Sequence, residues 1–417
     1  MIESLGAQPW IADPATVAVL DALEAAGGPA CARFVGGCVR NAILGRPIDD
    51  IDIATTLTPD AVIAALKAAK LRAVPTGVEH GTVTAVAKGR PFEITTLRRD
   101  VETDGRRAVV AFTTDWAEDA QRRDFRLNAL YADRTGRLYD PTAGGLADAR
   151  AGRIVFVGDA ATRIREDALR ILRFFRFQAW YGRGAPDAAG LAACAALRDL
   201  IGNLSAERVG AETLKLLRAE DPREAVRLMA QSGVLPVVLP EAAALGRFER
   251  LVAIETGLLF AEADALLRLA ALLPDSPDAA LAVAQRLRLS NADRDRLAAA
   301  LTPEPRLVSW LSPRETRQLV YRLGTRAFCD RAMLEWAASE RAAAAVQWRA
   351  LLPLAQSWTA PRLPLTGDEV MAAGVPKGPL VGEVMRAVES WWVENDFPAD
   401  KLGLIERLKA VAQGMAR

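Results

Sequence analysis

Residues 34–55 constrain the fold more than any other stretch. They read Phe34-Val35-Gly36-Gly37-Cys38-Val39-Arg40-Asn41-Ala42-Ile43-Leu44-Gly45, then Arg46-Pro47-Ile48-Asp49, then Asp50-Ile51-Asp52-Ile53-Ala54-Thr55. Residues 31–35 are apolar and run into a Gly-Gly break, as a buried strand does. Gly36 and Gly37 let the backbone approach a ligand and present its N–H groups. Residues 39–44 are compatible with a short helix that Gly45 stops. A phosphate at that helix start would meet backbone donors, the positive end of the dipole and the Arg40 guanidinium.

The chemistry lies in the second half of the stretch. On a strand, Asp50 and Asp52 project to one side while Ile51 and Ile53 point into the core. Like charges this close make a poor surface pair. They make a good cradle for Mg²⁺, which takes hard oxygen ligands and shares them with phosphates. A D-x-D alone is far more often an acidic strand edge. The upstream Gly-Gly-x-x-Arg changes that balance, because it sets a phosphate site and a metal site on one sheet edge.

Gly36-Gly37-x-Val39-Arg40, Leu44-Gly45, Asp50-x-Asp52 and Thr55 together resemble the first motif of the class II tRNA nucleotidyltransferase and bacterial poly(A) polymerase family. That family lies in the DNA polymerase beta nucleotidyltransferase superfamily. The chain departs from it at Asn41, where the family usually has Asp; an amide keeps the hydrogen bonds but not the charge. The resemblance implies an α+β nucleotidyltransferase (DNA polymerase beta-like) head at residues 1–155. A helical neck at 156–240 and an all-α body and tail at 241–417 would follow. It also implies that Gly37 and Arg40 position a triphosphate, and that a third carboxylate comes from a neighbouring strand. Glu93 is the candidate, as base for the attacking hydroxyl; an exposed strand glutamate is the plainer alternative.

With 417 residues the chain is too long for one core, and two to four domains are expected. The net charge of +1 excludes a globally basic nucleic-acid binder, so an RNA surface must come from local arginine clusters. Cys31, Cys38, Cys194 and Cys329 have no C-x-x-C spacing and imply neither disulfides nor zinc. The only histidine is His80, which excludes His-rich metal sites and a histidine-relay nucleophile. No basic region precedes an apolar run at the N-terminus, and no apolar stretch is long enough to span a bilayer; a cytoplasmic protein without membrane contact is expected.

Residues 14–26 read as a leading helix capped by Asp13, and Thr58-Pro59-Asp60 opens another with Val62, Ile63 and Leu66 on one side. Residues 82–87 and 92–97 read as strands of a hairpin around Lys88-Gly89-Arg90-Pro91, with Glu93 and Thr95 sharing a face. Gly77-Val78-Glu79-His80-Gly81-Thr82 matches a connecting segment of the tRNA nucleotidyltransferase branch, with His80 a structural loop residue. Residues 98–115 are polar and without period, and read as a loop; in the family this loop lies beside the active site.

Arg122-Arg123-Asp124-Phe125-Arg126-Leu127-Asn128-Ala129 resembles the family's second motif. It implies that Arg123 contacts phosphate or ribose, and that Asp124 contacts the ribose hydroxyl or orients the metal pair. A hairpin around Asp133-Arg134-Thr135-Gly136 is expected next. From Asp167, helical periodicity puts Ala168, Ile171, Leu172, Phe175 and Ala179 on one face. Asp167, Arg170, Arg173 and Arg176 fall around the other. Glu166-Asp167-x-x-Arg170, with Arg173, resembles the motif in which aspartate and arginine read the Watson–Crick edge of the incoming base; Arg173 and Arg176 would support sugar or phosphate. A carboxylate accepts from an exocyclic amine and a guanidinium donates to a ring acceptor, which suits CTP and ATP. An i,i+3 salt bridge on a solvated helix is the plainer alternative.

Beyond residue 180 the sequence is helical and alanine-rich, broken near 182–186, 236–240, 274–277, 303–305 and 359–365. Ser205-Ala206-Glu207-Arg208 and Glu212 suit the family's neck, with Ser205 as cap. The implied reaction is Mg²⁺-dependent addition of CCA to the 3′ end of tRNA from CTP and ATP, with no obligate protein partner. A poly(A) polymerase, a CC- or A-only enzyme, and a non-catalytic RNA-binding relative are the alternatives.

Overall fold

The computed structural model describes residues 3–104, 107–243, 245–339, 344–398 and 400–415. It divides into two compact units, Met1–Pro240 and Glu241–Arg417. The first unit carries all the strands: β1 (Ala32–Val35), β2 (Asp52–Thr55), β3 (Arg72–Gly77), β4 (Thr82–Ala87), β5 (Arg90–Thr96), β6 (Arg98–Asp104), β7 (Arg107–Phe112), β8 (Tyr131–Ala132) and β9 (Leu138–Tyr139). Seven of them form one sheet in the order β3-β4-β5-β2-β1-β8-β9. Among the described residues only β2 and β5 run parallel, with Asp52 opposite Glu93 and Ile53 opposite Ile94.

Alternation divides the sheet into two chemically different faces. Phe34, Ile53, Val83, Ile94 and Phe92 are fully buried, and they lie on the side covered by the helices Pro14–Gly27 and Pro59–Ala68. Asp13 caps the first helix through Ala15 N–H, and Thr58 caps the second through Ala61 N–H. On the other face Val35, Ala54 and Tyr131 form a smaller core with Leu97, Ala120, Ala129 and Val157, closed by Trp116. Asp52 and Glu93 lie on this second face.

The α+β head followed by helices is thus present. Two local expectations need correction. Residues 98–104 and 107–112 are strands rather than loop: β6 and β7 pair antiparallel, Arg98 opposite Phe112, as a separate ribbon. The apolar run Ala108-Val109-Val110-Ala111-Phe112, without polar alternation and next to a charged strand, gives no period from which to read it. The β4–β5 turn is only Lys88-Gly89, both with positive φ (49° and 78°), so Arg90 and Pro91 already belong to the strand. The hairpin around Asp133 is present, and His80 is an exposed residue of a short 3₁₀ turn whose carbonyl accepts from Arg98.

Two successive helices, Ala160–Glu166 and Leu169–Tyr181, follow the head, and Ala206–Leu217 packs on the second. Ser205 stands at the start of the last helix, but its side chain makes no capping bond there. The second unit, among its described residues, is helical. Its C-terminal core gathers Val370, Val384, Val388, Trp392, Leu404 and Leu408. Ser312 with Glu315, and Thr366 with Glu369, form reciprocal capping boxes. Among the described residues no helix is long and apolar enough to cross a membrane.

Candidate active site

The strand β1 is followed by Gly36, whose φ of 70° and ψ of −123° only glycine adopts readily. The helix Gly37–Leu44 starts directly after it. A side chain at Gly36 would come within 3.7 Å of Asp52 Oδ2, so the bare turn lies against that carboxylate. Cys38 ties the two strands beneath: its thiol donates to the Val35 carbonyl at 3.3 Å, and burial pushes it up to about 12, so it stays a neutral packing group.

Asp52 begins β2, while Asp50 precedes the strand and is exposed; the alternation nevertheless holds, with Ile51 and Ile53 buried. The Asp52 carboxyl is pushed up to about 6, first by burial, then by the negative charges of Glu93 and Asp50, against the pull of Arg123 and Arg40. Among the described residues no group forms a hydrogen bond or ion pair with the side-chain carboxylate of Asp50, Asp52 or Glu93. Three carboxylates gathered on one face, none of them bonded to an internal cation, suit a divalent metal. No three acidic, histidine or cysteine side chains among the described residues converge as a ready-made chelate. A hard cation taking two carboxylates and completing its shell from phosphate and water fits this donor set.

Arg40 is buried beside this face, and all its bonds go to neutral groups. Its Nη1 donates to Asn128 Oδ1 at 2.6 Å, its Nη2 to the Tyr181 hydroxyl at 2.7 Å and to Asn41 Oδ1 at 2.9 Å. The guanidinium carbon lies 4.1 Å from the Tyr181 ring centroid. Asn41 in turn donates to the Pro47 carbonyl at 2.7 Å. The amide therefore serves as acceptor and donor at once, which the carboxylate usual at that position does not.

The second motif is assembled by Asp119, a residue to which its sequence context gave no weight. Asp119 is 1% exposed and accepts from Arg122 Nε at 2.8 Å, Arg123 Nη2 at 2.9 Å and the Tyr131 hydroxyl at 2.7 Å. Burial acts to raise its carboxyl, but the Arg123 and Arg122 guanidiniums outweigh it and hold it down to about 2. Asp124 does not face solvent either. It accepts from Phe125 N–H at 2.8 Å, Asn128 Nδ2 at 3.0 Å and Arg173 Nε at 2.8 Å. Asn128 thus joins Asp124 to Arg40.

Asp167 lies outside the helix that periodicity gave it. It links the two helices with φ −149° and ψ 104°, and caps the second through Leu169 N–H at 3.1 Å. A smooth period cannot register one extended residue when the apolar positions on either side, Ile164 and Ile171, are both buried. Nor do Asp167 and Arg170 pair with each other. Asp167 Oδ2 accepts from Arg208 Nη2 at 2.7 Å, whereas Arg170 Nη1 bonds Glu166 Oε2 at 2.6 Å and its Nη2 the Arg122 carbonyl at 3.0 Å. Arg176 Nε donates to the buried Glu212 at 2.6 Å. Ile171, Leu172 and Phe175 are buried, but so are Phe174 and Phe177 next to the arginines, and Arg170, Arg173 and Arg176 are themselves part-buried, so the helix is covered on more than one face.

Gly37, Arg40, Asp50, Asp52, Glu93, Arg123, Asp124, Asp167, Arg170, Arg173 and Arg176 all belong to the first unit. Its carboxylate face and its arginine cluster are close enough for Arg40 and Arg123 to act on Asp52. Tyr181 and Asp119 carried no signal in the sequence; Asn128, Arg208 and Glu212 carried one through the motifs around them.

Residues 32–155 match the family described as Poly A polymerase head domain, and residues 187–245 the family described as probable RNA and SrmB-binding site of polymerase A. The chain is 31% identical to the CCA-adding enzyme of Lacticaseibacillus paracasei over 420 residues, covering 97% of this chain and 96% of that one. It is also 31% identical to the mouse (Mus musculus) mitochondrial CCA tRNA nucleotidyltransferase 1, over 90% of this chain and 86% of that one. The Bacillus stearothermophilus CCA-adding enzyme solved in complex with CTP superposes with a TM-score of 0.78 at 27% identity, over 98% of this chain and 100% of that one. With the glycine turn, the D-x-D face and the paired arginine helix in one unit, this chain belongs to the family of the CCA-adding tRNA nucleotidyltransferases.

Proposed function

We propose that this chain adds C, C and A to the 3′ end of tRNA by nucleotidyl transfer from CTP and ATP, releasing pyrophosphate. The observation that carries the reading is the uncompensated carboxylate face at Asp50, Asp52 and Glu93, set against a glycine turn and a helix N-terminus. Asp50 and Asp52 would hold a divalent cation, and Mg²⁺ suits their hard oxygens. When bound, that ion supplies charge neutralisation for the triphosphate and a lowered pKa for the attacking hydroxyl. Gly37 keeps the helix start open to the triphosphate, and Arg40 and Arg123 contribute positive charge behind it. Glu93, exposed and facing the same side as Asp52, would accept the proton of the tRNA 3′ hydroxyl. Asp124 orients Arg173 and Asn128 rather than meeting the ribose directly. Asp167 and Arg170 would read the base, and Arg173 and Arg176 would stand behind its sugar and phosphates. Residues 1–155 would then act as catalytic head, 156–240 as the neck that selects the base, and 241–417 as the platform for tRNA.

The test incubates the protein with Mg²⁺, each labelled nucleotide and tRNA transcripts ending before CCA, after CC or after CCA. Two cytidines and then one adenosine, with no extension of the finished end, are expected. Open-ended adenylation would make it a poly(A) polymerase, and arrest after CC, or action only on CC ends, a partial enzyme. No incorporation by a folded protein would leave an RNA binder.

A further inference from the structure

We propose that Arg208 is a positioning residue for nucleotide selection, fixing the Asp167 carboxylate in the orientation that accepts the exocyclic amine of cytosine or adenine. The inference rests on the reading of Asp167 as a base contact. A residue that discriminates by one hydrogen bond must have its acceptor held still, because a freely turning carboxylate can meet several donors. Asp167 cannot borrow that rigidity from a helix, since it is an extended link between two of them. Its side chain is fixed at two points instead. One oxygen, Oδ1, accepts from Leu169 N–H at 3.1 Å, and the other, Oδ2, from Arg208 Nη2 at 2.7 Å. A carboxylate has about four acceptor sites, so both oxygens keep a lone pair for a ligand.

Arg208 is itself aimed by its helix. Arg208 and Glu212 are one turn apart on Ala206–Leu217, and therefore on one face. They reach the base-reading segment at two places with opposite charges: Arg208 at Asp167, and Glu212 at Arg176 at 2.6 Å. Three residues further on, the Lys215 carbonyl accepts from Trp180 Nε1 at 2.8 Å. Swapping the register of either helix would bring like charges together, so the crossed pairs set Arg208 against Asp167. The remaining Arg208 surface is about one-third exposed, so the pair lies at the edge of the site, not in its core. Nucleotide choice thereby depends on a helix beyond the reading segment itself.

The experiment measures single-nucleotide incorporation of CTP, ATP, UTP and GTP on tRNA lacking CCA, for Arg208→Met, Arg208→Lys, Asp167→Ala and the double variant Asp167→Ala/Arg208→Met, with thermal melting alongside. Arg208→Met should raise KM for CTP and ATP about tenfold, change kcat at saturation little, and lower the preference for CTP over UTP about tenfold, the effect of one misplaced hydrogen bond. Arg208→Lys, which keeps one charged donor, should recover most of that preference. In the Asp167→Ala background, Arg208→Met should cost no further selectivity, because the residue acts through Asp167. Should the methionine variant fail to fold, Arg208→Gln takes its place with the same expectations. Unchanged KM and selectivity in a folded Arg208→Met, or an equal further loss in the double variant, would overturn the proposal while leaving Asp167 as base reader. Unchanged selectivity in Asp167→Ala would instead overturn the base-reading role, and Arg208 with it.

Discussion

The carboxylate face and the arginine segment lie in the same unit, yet they solve the charge problem oppositely. Asp50, Asp52 and Glu93 have no cation bonded to them among the described residues, and burial, then the charges of Glu93 and Asp50, push Asp52 up to about 6. In the arginine segment every charge is matched: Asp167 by Arg208, Arg170 by Glu166, Arg173 by Asp124 and Arg176 by Glu212. The first arrangement is incomplete until a ligand arrives. The second is a finished scaffold whose geometry exists before any nucleotide does. A site that must attract a metal and triphosphate can tolerate repulsion; one that must measure a base cannot.

The contrast is broken most severely by Asp52→Ala. Loss of a metal ligand should reduce nucleotidyl transfer by about a thousandfold or more, since the ion contributes several kcal/mol to the transition state. Removing a repelled charge should leave melting of the metal-free protein unchanged or slightly raised; a fall of many degrees would mean that Asp52 is structural. On the matched side the sign reverses. Asp124→Ala strands Arg173 and leaves Asn128 and Phe125 N–H short of an acceptor, and should cost about 3–5 kcal/mol of stability in a denaturant titration. An unaltered midpoint would show that this cluster is not a scaffold.

Titration sharpens the comparison with a smaller effect. The folded carboxyl of Asp52 is raised above its unfolded value, so the metal-free protein loses stability as pH rises from about 4 toward 6 and keeps that loss above it. A divalent ion needs the ionised form, so its stabilisation of the protein should be larger at pH 8 than at pH 5. Melting curves with and without Mg²⁺ at the two pH values read this directly, and equal shifts would contradict it. The Asp119 carboxyl, held down to about 2, should contribute stability that persists until pH falls through that range.

The smallest effect is expected at Asn41→Asp. The new carboxylate gains a charged contact with Arg40 but loses the donor that Asn41 gives the Pro47 carbonyl. The two nearly offset, so stability should change by no more than about 1 kcal/mol. A larger loss would show that the bond to Pro47 holds the segment ahead of Asp50.

What could be read from the chain follows the range of the interaction. The glycine turn, the alternation around Asp52, the caps at Asp13 and Thr58 and the apolar face of the arginine helix are set within a few residues, and sequence spacing carries them. Asp119 pairs with Arg122 and Arg123, and Arg170 with Glu166, within one helical turn, but other partners of the charged groups are not local. Asp124 meets Arg173, Arg40 meets Tyr181, and Asp167 meets Arg208, 49, 141 and 41 residues apart. Composition and period say nothing about such pairings; only the packed helices do. The extended link at Asp167 was hidden for a related reason, because apolar residues on either side keep a helical rhythm that a single non-helical residue scarcely disturbs. The β6–β7 ribbon was hidden because the charged residues of its first strand outweighed the apolar run Ala108-Val109-Val110-Ala111-Phe112 of its second.

Arg40 has one more consequence. Its donors are satisfied by Asn41, Asn128 and Tyr181, which supply hydrogen bonds without cancelling its charge. A chain of nearly zero net charge thus keeps a fixed positive source beside its carboxylate face, partly screened from solvent ions by burial. Such a source acts at a distance, before contact, by drawing a polyanion toward the opening. Capture of the nucleotide triphosphate should therefore slow as ionic strength rises, even where the chemistry after capture does not.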